Sequence, residues 1–318
     1  MIRTCRALAL AICALVAAHT RCVAKDQEGQ VPSPAPLERH DPEHTTPFHF
    51  LVDTNVNTAY YTPRGLMVEN EGASFHLLVL GILDVYKNSQ GPVNSVSIIA
   101  GAWNNFLTHA KGPGPNGTQV NVSPYNEVDP IVSVEGTIFD DWTLGATYVP
   151  FISPPNLFPG GAQHNFEFKV AFDDSRYMGP FALHPYVKPF WHFAGPSPVV
   201  LGESNAWDFE LGINPSVSFL QDSTLPMKLN FPIFMTFGNS AWFGGPGTAL
   251  GHVAPTFNLS FSLAKLIDPA TYGIWSLYLG GEYSRIVNDN LLLAGNILSG
   301  QRSRNVFIGT MGVNLFVP

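Results

Sequence analysis

Residues 207–220 have the sequence WDFELGINPSVSFL and alternate apolar with polar side chains along their length. Successive side chains of a β-strand point to opposite faces of a sheet, so this alternation predicts a strand. One face carries large apolar side chains such as Trp207 and Phe209, and the opposite face carries Asp208 and Glu210. The contrast predicts a sheet that separates an apolar medium from polar surroundings.

The same two-residue period recurs along the chain from Phe48 onward and predicts 12 strands. A short run at 291–298 (LLLAGNIL) is predicted as a thirteenth strand or as part of a loop. The 12 predicted strands are residues 49–61, 73–86, 94–106, 128–139, 142–150, 164–172, 181–194, 207–220, 227–238, 253–264, 275–284 and 304–317.

The connections between these strands alternate between long and short. The long connections are residues 62–72, 107–127, 151–163, 195–206, 239–252 and 285–303. The mostly short ones are residues 87–93, 140–141, 173–180, 221–226 and 265–274. Membrane barrels have short turns at one rim and longer loops at the other. The sequence therefore predicts an all-β fold, an antiparallel up-and-down transmembrane β-barrel of about 12 strands.

Composition points the same way. Only 13% of the residues are charged and the mean hydropathy is +0.10, against roughly 25% charged residues in soluble domains. Aromatic residues near the predicted strand ends are expected at the level of the lipid headgroups. These residues are Tyr60, Tyr61, Trp103, Trp142, Tyr148, Trp191, Trp207, Trp242 and Trp275.

The first 47 residues differ from the rest of the chain. Residues 1–24 combine two early arginines, an apolar run and a small-residue cleavage site, and predict a signal peptide. Residues 25–47 are polar and proline-rich and predict a periplasmic leader. Its acidic and histidine residues are more typical of a solvated linker than of a metal site. The barrel is predicted over residues 48–318, and the three cysteines all precede the predicted cleavage after Ala24.

The net charge of the chain indicates which classes of molecule it is expected to bind. The 24 acidic and 16 basic side chains give a net charge of −8, which argues against nucleic-acid binding. The expected partners are outer-membrane lipid and, in the lumen, small solutes, and no cofactor is expected. Strand parity predicts that the lumen is lined by Asp53, Asn55, Asn57, Glu135, Glu167, Lys169, Lys188, Asp208, Glu210, Lys228 and Glu282, together with His184 and His192.

Catalytic patterns are few. Ser74 and His76 would share one strand face, but a third member, Asp84, would lie at the far end of the same strand. Phosphate-loop, dinucleotide and zinc-protease motifs do not occur in the sequence. The prediction is therefore that the protein is not an enzyme, and a membrane lipid hydrolase is the weaker alternative.

Three local patterns stand out in residues 50–150. They are Asn55-x-Asn57-x-x-Tyr60-x-x-Arg64-Gly65, residues 100–104 (AGAWN), and residues 127–129 (EVD) followed by a strand, a tight turn and residues 144–148 (LGATY). In this order they resemble the TorF family, a group of porins predicted in proteobacterial outer membranes. The sequence departs from the family after the Arg-Gly pair, where Leu66-Met67 replaces the usual β-branched residue and serine. The resemblance implies an outer-membrane porin without a defined substrate.

These observations predict an exported outer-membrane barrel that acts as a porin or narrow channel for passive passage of small solutes. Two alternatives stay open. The barrel is closed to flux and has a structural, ligand-binding or partner-binding role, or the chain is a soluble secreted all-β protein. Open and sealed lumens are both compatible with 12 strands, because eight-stranded barrels are filled by side chains and 16-stranded barrels hold a channel.

Overall fold

The computed structural model describes residues 46–113, 119–155, 161–196 and 205–318. The predicted signal peptide and almost all of the predicted leader lie outside these residues and stay predictions. The 12 barrel strands are β1 Phe48–Asn57, β2 Ser74–Lys87, β3 Val93–Leu107, β4 Tyr125–Ile138, β5 Trp142–Phe151, β6 Gln163–Phe172, β7 Tyr186–Ala194, β8 Ala206–Ile213 with Ser216–Phe219, β9 Met227–Asn230 with Ile233–Gly238, β10 Leu250–Ser262, β11 Ile274–Ile286 and β12 Asn305–Val317.

Each strand pairs antiparallel with its neighbours in the chain, and the last strand closes the ring on the first. The closing pair of β12 with β1 runs in register from Phe50 opposite Val317 to Asn57 opposite Thr310. A closed ring leaves no unpaired sheet edge. The predicted fold class, an antiparallel up-and-down barrel of about 12 strands, is confirmed.

The predicted alternation of side chains also holds in β8. Trp207 and Phe209 point outward and are 45% and 42% exposed, whereas Asp208 and Glu210 point inward and are 1% and 5% exposed. The same pattern recurs around the ring, with outward aliphatic and aromatic side chains on every wall. The barrel therefore has an apolar outer surface, and its interior holds charged and polar side chains beside a buried apolar cluster that includes Leu80 and Ile82.

Two strands predicted as continuous are interrupted by proline. Proline lacks the N–H that a strand donates to its neighbour, so β8 breaks at Pro215 and β9 at Pro232. The two proline carbonyls still accept hydrogen bonds, from the backbone N–H groups of Phe231 at 2.9 Å and Thr256 at 2.7 Å. Both strands therefore remain in the barrel wall.

The two rims differ. The terminal end carries Phe48, Val317 and the connections 88–92, 139–141, 173–185, 220–226 and 263–273. The loop end carries the connections 58–73, 108–124, 152–162, 195–205, 239–249 and 287–304. The connection 173–185 is longer than predicted because β7 begins at Tyr186 rather than at residue 181.

Four short helices lie in the connections, and in the described residues no helix is long and apolar enough to cross a membrane. They are α1 Ser175–Met178, α2 Ser240–Phe243, α3 Pro269–Tyr272 and α4 Asp289–Ser299, with a 3₁₀ turn at Gly179–Phe181.

The run 291–298 lies in α4, within the connection 287–304, so the thirteenth strand is wrong and the placement in a loop holds, with a helix in that loop. The Asn288 side chain caps α4 by accepting the N–H of Leu291 at 3.0 Å, and Gly300 ends it with a φ of 73°. A short apolar run fits both the two-residue period of a strand and the 3.6-residue period of a helix. Here the two caps favour a helix.

The loop end is closed from inside by residues 58–73, which we call the inner hairpin. The prediction that β1 continues to residue 61 is wrong, because β1 ends at Asn57 and Tyr60–Tyr61 pairs with Met67–Glu69 instead. The inner hairpin, α2 and α4 share one apolar cluster with the barrel wall near the loop end. Met67 is 2% exposed and packs against Gly295 of α4.

The predicted aromatic girdle is correct in part. Trp207 stacks on Trp191 on the outer face, with ring centroids 5.3 Å apart, and Tyr148 joins an outer aromatic group near the loop end. The terminal end has Trp142 against Phe172. Four aromatic residues instead point inward and pack against the inner hairpin or belong to it: Tyr60, Tyr61, Trp103 and Trp242.

Candidate functional site: the barrel interior

Arg64, at the tip of the inner hairpin, is the central charge of the interior. Its Nη2 donates to Glu167 Oε2 at 2.6 Å, and its Nη1 lies 3.3 Å from Asp208 Oδ1 and 3.8 Å from Glu210 Oε2. The guanidinium carbon lies 4.4 Å from the centre of the Phe190 ring, within the range of a cation–π contact. We call these four partners of Arg64 the acidic cage.

A tight turn directs Arg64 into the cage. The N–H of Gly65 donates to the Thr62 carbonyl at 2.9 Å, with Pro63 between them at the position that favours its fixed φ. Gly65 has a φ of 88°, and a Cβ placed there would lie 2.5 Å from His252 Nδ1. Only glycine fits this left-handed position against the β10 wall.

Arg64 is charged in this setting. Burial opposes its charge, but the carboxylates of Asp208, Glu167 and Glu210 outweigh that penalty and raise the pKa of Arg64 above its ordinary value. Lys188 adds a second cation, with its Nζ 3.4 Å from Glu210 Oε1.

The cage still holds more acceptors than donors. The Asp208 side chain is fully buried, yet neither of its carboxylate oxygens has a hydrogen-bond partner. Arg64 Nη1 faces Asp208 but forms no hydrogen bond, and Glu282 Oε1 is also buried without a partner. Buried polar atoms are normally hydrogen bonded, so this wall of the interior has unused capacity to bind a donor.

A second acidic group lies on β4, two strands from β6 along the ring, and meets a neutral partner. The Tyr60 hydroxyl donates to Glu127, and Asp129 lies on the same strand face. Burial and the neighbouring carboxylates raise the pKa of Tyr60 well above its ordinary value, which keeps its proton in place. The Tyr60 ring also packs against Trp103, with centroids 5.9 Å apart.

This Tyr60 network joins one residue from each of the three patterns that resemble the TorF family. Residues 55–65 supply Tyr60, residues 100–104 supply Trp103, and residues 127–129 supply Glu127. The three stretches come from different strands and meet only in the closed barrel.

Ser74 and His76 do share a face, and Ser74 Oγ lies 2.6 Å from His76 Nε2. The Asn57 amide nitrogen lies 3.2 Å from His76 Nδ1, which favours the tautomer with its proton on Nε2. The imidazole then donates to Ser74 and does not accept its proton, as a general base must. Ser74 is also 0% exposed, so the pair lacks the access that a nucleophile requires.

The remaining predicted inward residues form smaller groups. Asp53 accepts from the Tyr278 hydroxyl at 2.9 Å and from Asn55 at 3.1 Å, and Asn57 in turn donates to Asn55 at 2.6 Å. Lys169 donates to Glu135 at 3.0 Å. Lys228 is partly buried opposite Ser260 in the neighbouring strand.

The two histidines that were predicted to point inward lie in different parts of the structure. His192 is buried against Asn165, with 2.9 Å between His192 Nδ1 and the amide oxygen. His184 does not lie on a strand, because it precedes β7 in the connection 173–185. It lies 3.3 Å from Asp173 and close to Asp174, a grouping whose ligand atoms are near enough to hold a metal ion. These carboxylates already accept backbone N–H groups, however.

Sequence reasoning missed Arg64 as an interior charge, because it lies in a connection rather than a strand. It also missed Glu127 and Asp129, although a signal for both was present. They share the two-residue phase of Glu135 on β4. Asp129 already lies in the predicted strand 128–139, and extending that strand by one residue would have included Glu127.

No protein-family model and no curated protein matches this chain. Among solved structures, the chain is similar to a NanC porin, with 10% identity, 84% of this chain and 98% of that chain covered, and a TM-score of 0.42. It is also similar to an outer membrane channel from Pseudomonas putida F1, with 10% identity, 91% and 100% covered, and a TM-score of 0.44. OprB of Pseudomonas putida gives 8% identity, 85% and 93% covered, and a TM-score of 0.35.

Proposed function

We propose that this protein is an outer-membrane β-barrel that passes small solutes through a lumen gated by the inner hairpin. The observation that carries the proposal is the closed ring with an apolar outside and a charged inside. Hydrocarbon offers no hydrogen bonds to backbone groups, so only helices and closed barrels span it. Charged groups on the inner side of such a barrel need water, a solute or a partner of opposite charge.

The outer surface supports a lipid environment. Large apolar side chains stay exposed on all walls, including Phe307 and Met311 at 64% each. Contiguous apolar patches on soluble monomers rarely exceed a few hundred Å², and burial in lipid removes about 25 cal/mol of unfavourable free energy per Å² of apolar surface. This favours a membrane barrel over a soluble secreted protein.

Orientation follows from the two rims. Outer-membrane barrels have short periplasmic turns and longer external loops. We therefore assign the terminal end to the periplasm and the loop end, with its inner hairpin, to the outside. Export by residues 1–24 and a periplasmic leader at 25–47 are part of the same proposal.

Gating follows from burial near the loop end. Inward polar residues beside the inner hairpin, such as Thr236, His252 and Ser284, are 0% exposed. Solute passage past them requires the hairpin to move. The charged lumen residues predicted from the sequence, with Arg64 added, are the side chains that a passing solute would meet, and the acidic excess favours cations.

Packing of the inner hairpin favours a second candidate, a barrel closed to flux that binds a ligand or partner. Met67, Leu66 and Ala59 lie in one apolar cluster with α2 and α4, which holds the hairpin inside the lumen. Conductance distinguishes the two candidates, because a gated channel conducts ions and a barrel closed to flux does not.

Membership in the TorF family is a further part of the proposal. The contacts of Tyr60 with Glu127 and Trp103, one residue from each resembling pattern, support it. The catalytic alternative lacks comparable support.

The first experiment loosens the inner hairpin and measures single-channel conductance in planar bilayers. Met67→Ala removes apolar contacts that hold the hairpin on α4, and we expect the open fraction to rise several-fold over the unchanged chain. Met311→Ala is the matched control, since Met311 is exposed on the outer face. Absence of conductance in all three proteins would leave the closed barrel as the function.

The second experiment measures ion selectivity from reversal potentials in a salt gradient. Replacing Asp208 with Asn and Glu210 with Gln should reduce the preference for cations, because both carboxylates face the lumen. Glu71→Gln is the control, since Glu71 is exposed in the inner hairpin. Unchanged selectivity in the double variant would mean that the cage does not lie on the permeation path.

A further inference from the structure

We propose that the acidic cage is a binding site for the guanidinium group of a solute, and that Arg64 occupies this site in the closed barrel. The inference rests on the proposed channel function and specifies its substrate class. Arg64 would then be an internal competitor, which a solute with the same head group displaces.

The shape of the cage fits a planar, forked cation. Glu167 meets one terminal nitrogen of Arg64, Asp208 and Glu210 face the other, and Phe190 lies against the guanidinium. A guanidinium presents donors in a fixed plane and stacks on aromatic rings, whereas an ammonium is a compact point charge. Lys188 already supplies an ammonium to Glu210 from the side.

Arg64 does not use the whole site. Its Nη1 and both Asp208 oxygens are buried without hydrogen bonds, although Nη1 and Oδ1 are 3.3 Å apart. The short turn from Thr62 to Leu66 limits how Arg64 can rotate. A guanidinium free of the backbone can turn to donate to Glu167 and Asp208 together, and bidentate pairing with carboxylates strengthens binding.

Occupation of the cage is coupled to the position of the inner hairpin. Arg64 is the tip of that hairpin, so a solute that replaces its guanidinium removes the hairpin's three carboxylate contacts. The remaining attachments are the apolar packing around Met67 and the hydrogen bonds of Tyr60 to Glu127 and of Tyr61 with Ser284. Solute binding therefore promotes release of the hairpin from the lumen.

The test is chemical rescue of the full exported chain in detergent, read as the temperature at which the folded band is lost on a gel. Arg64→Ala should lower this temperature, and guanidinium chloride at low millimolar concentration should restore at least half of the loss. Sodium chloride and tetramethylammonium chloride at equal ionic strength should restore little. In the unchanged chain, where Arg64 fills the cage, guanidinium should produce no such gain.

A second variant ties the rescue to the cage. Adding Asp208→Asn to Arg64→Ala should abolish the preference for guanidinium over the other two cations. Equal effects of all three salts, or a rescue that survives Asp208→Asn, would overturn the inference. If Arg64→Ala folds only poorly, the same three cations are compared by the yield of folded band.

The rescue does not depend on conductance, so the two proposals fail separately. Rescue by guanidinium in a protein that never conducts would refute the channel and retain the site. Conductance without selective rescue would retain the channel and refute the site.

Discussion

The inner hairpin faces acidic side chains on two walls of the barrel, and the two walls meet it differently. On the β6–β8 wall, Glu167, Asp208 and Glu210 face the charged Arg64. On the β4 wall, Glu127 accepts a hydrogen bond from the neutral Tyr60, and Asp129 lies on the same strand face. Loss of one partner of the ion pair leaves an uncompensated buried charge, whereas loss of the hydrogen-bond donor leaves an unsatisfied acceptor. We therefore expect the two walls to stabilise the hairpin to different extents.

The largest effect is expected from Arg64→Gln. Removing one partner of a buried ion pair leaves uncompensated charge, which typically destabilises a protein by about 3–5 kcal/mol. We expect a loss of this order in the free energy of unfolding, measured by urea titration in lipid vesicles. The control Arg176→Gln removes an exposed arginine and should change little. Equal losses in the two variants would mean that the cage contributes nothing specific.

A smaller effect is expected from Tyr60→Phe, which removes the hydroxyl that donates to Glu127. Leaving a buried acceptor unsatisfied costs about 1–3 kcal/mol, and the ring packing against Trp103 is kept. Tyr272→Phe is the control, because Tyr272 is 65% exposed. The same urea titration should place Tyr60→Phe between its control and Arg64→Gln. A loss larger than that of Arg64→Gln would reverse the comparison between the walls.

The smallest effect is expected at the solvent-accessible pair of Lys111 and Glu71, whose Nζ and Oε2 lie 2.6 Å apart. The hydrogen bond raises the pKa of Lys111 and lowers that of Glu71. Any stabilisation is therefore present at neutral pH, fades as pH falls through the lowered pKa of Glu71, and fades as pH rises through the raised pKa of Lys111. Lys111→Gln should leave the unfolding curve at neutral pH nearly unchanged, and a clear shift would contradict this.

Prediction from sequence worked best where the signal was local. The two-residue period locates the 12 barrel strands, and strand parity places Asp208 and Glu210 on the face that is buried in the structure. The strand alternative for 291–298 is wrong, because this apolar run without a clear period forms α4 through its caps. Prediction also failed at Tyr60, Trp103 and Trp242, because an aromatic residue near a strand end packs equally well on either side of the wall.

The sequence by itself determined a barrel with an apolar outside and a charged inside, since the side-chain period of a strand is a property of neighbouring residues. Only the tertiary structure decided that residues 58–73 turn inward. That placement joins Arg64 to carboxylates about 100 residues or more away in the chain, and Tyr60 to Glu127. No local pattern encodes such pairs, because they exist only once the ring has closed around the hairpin.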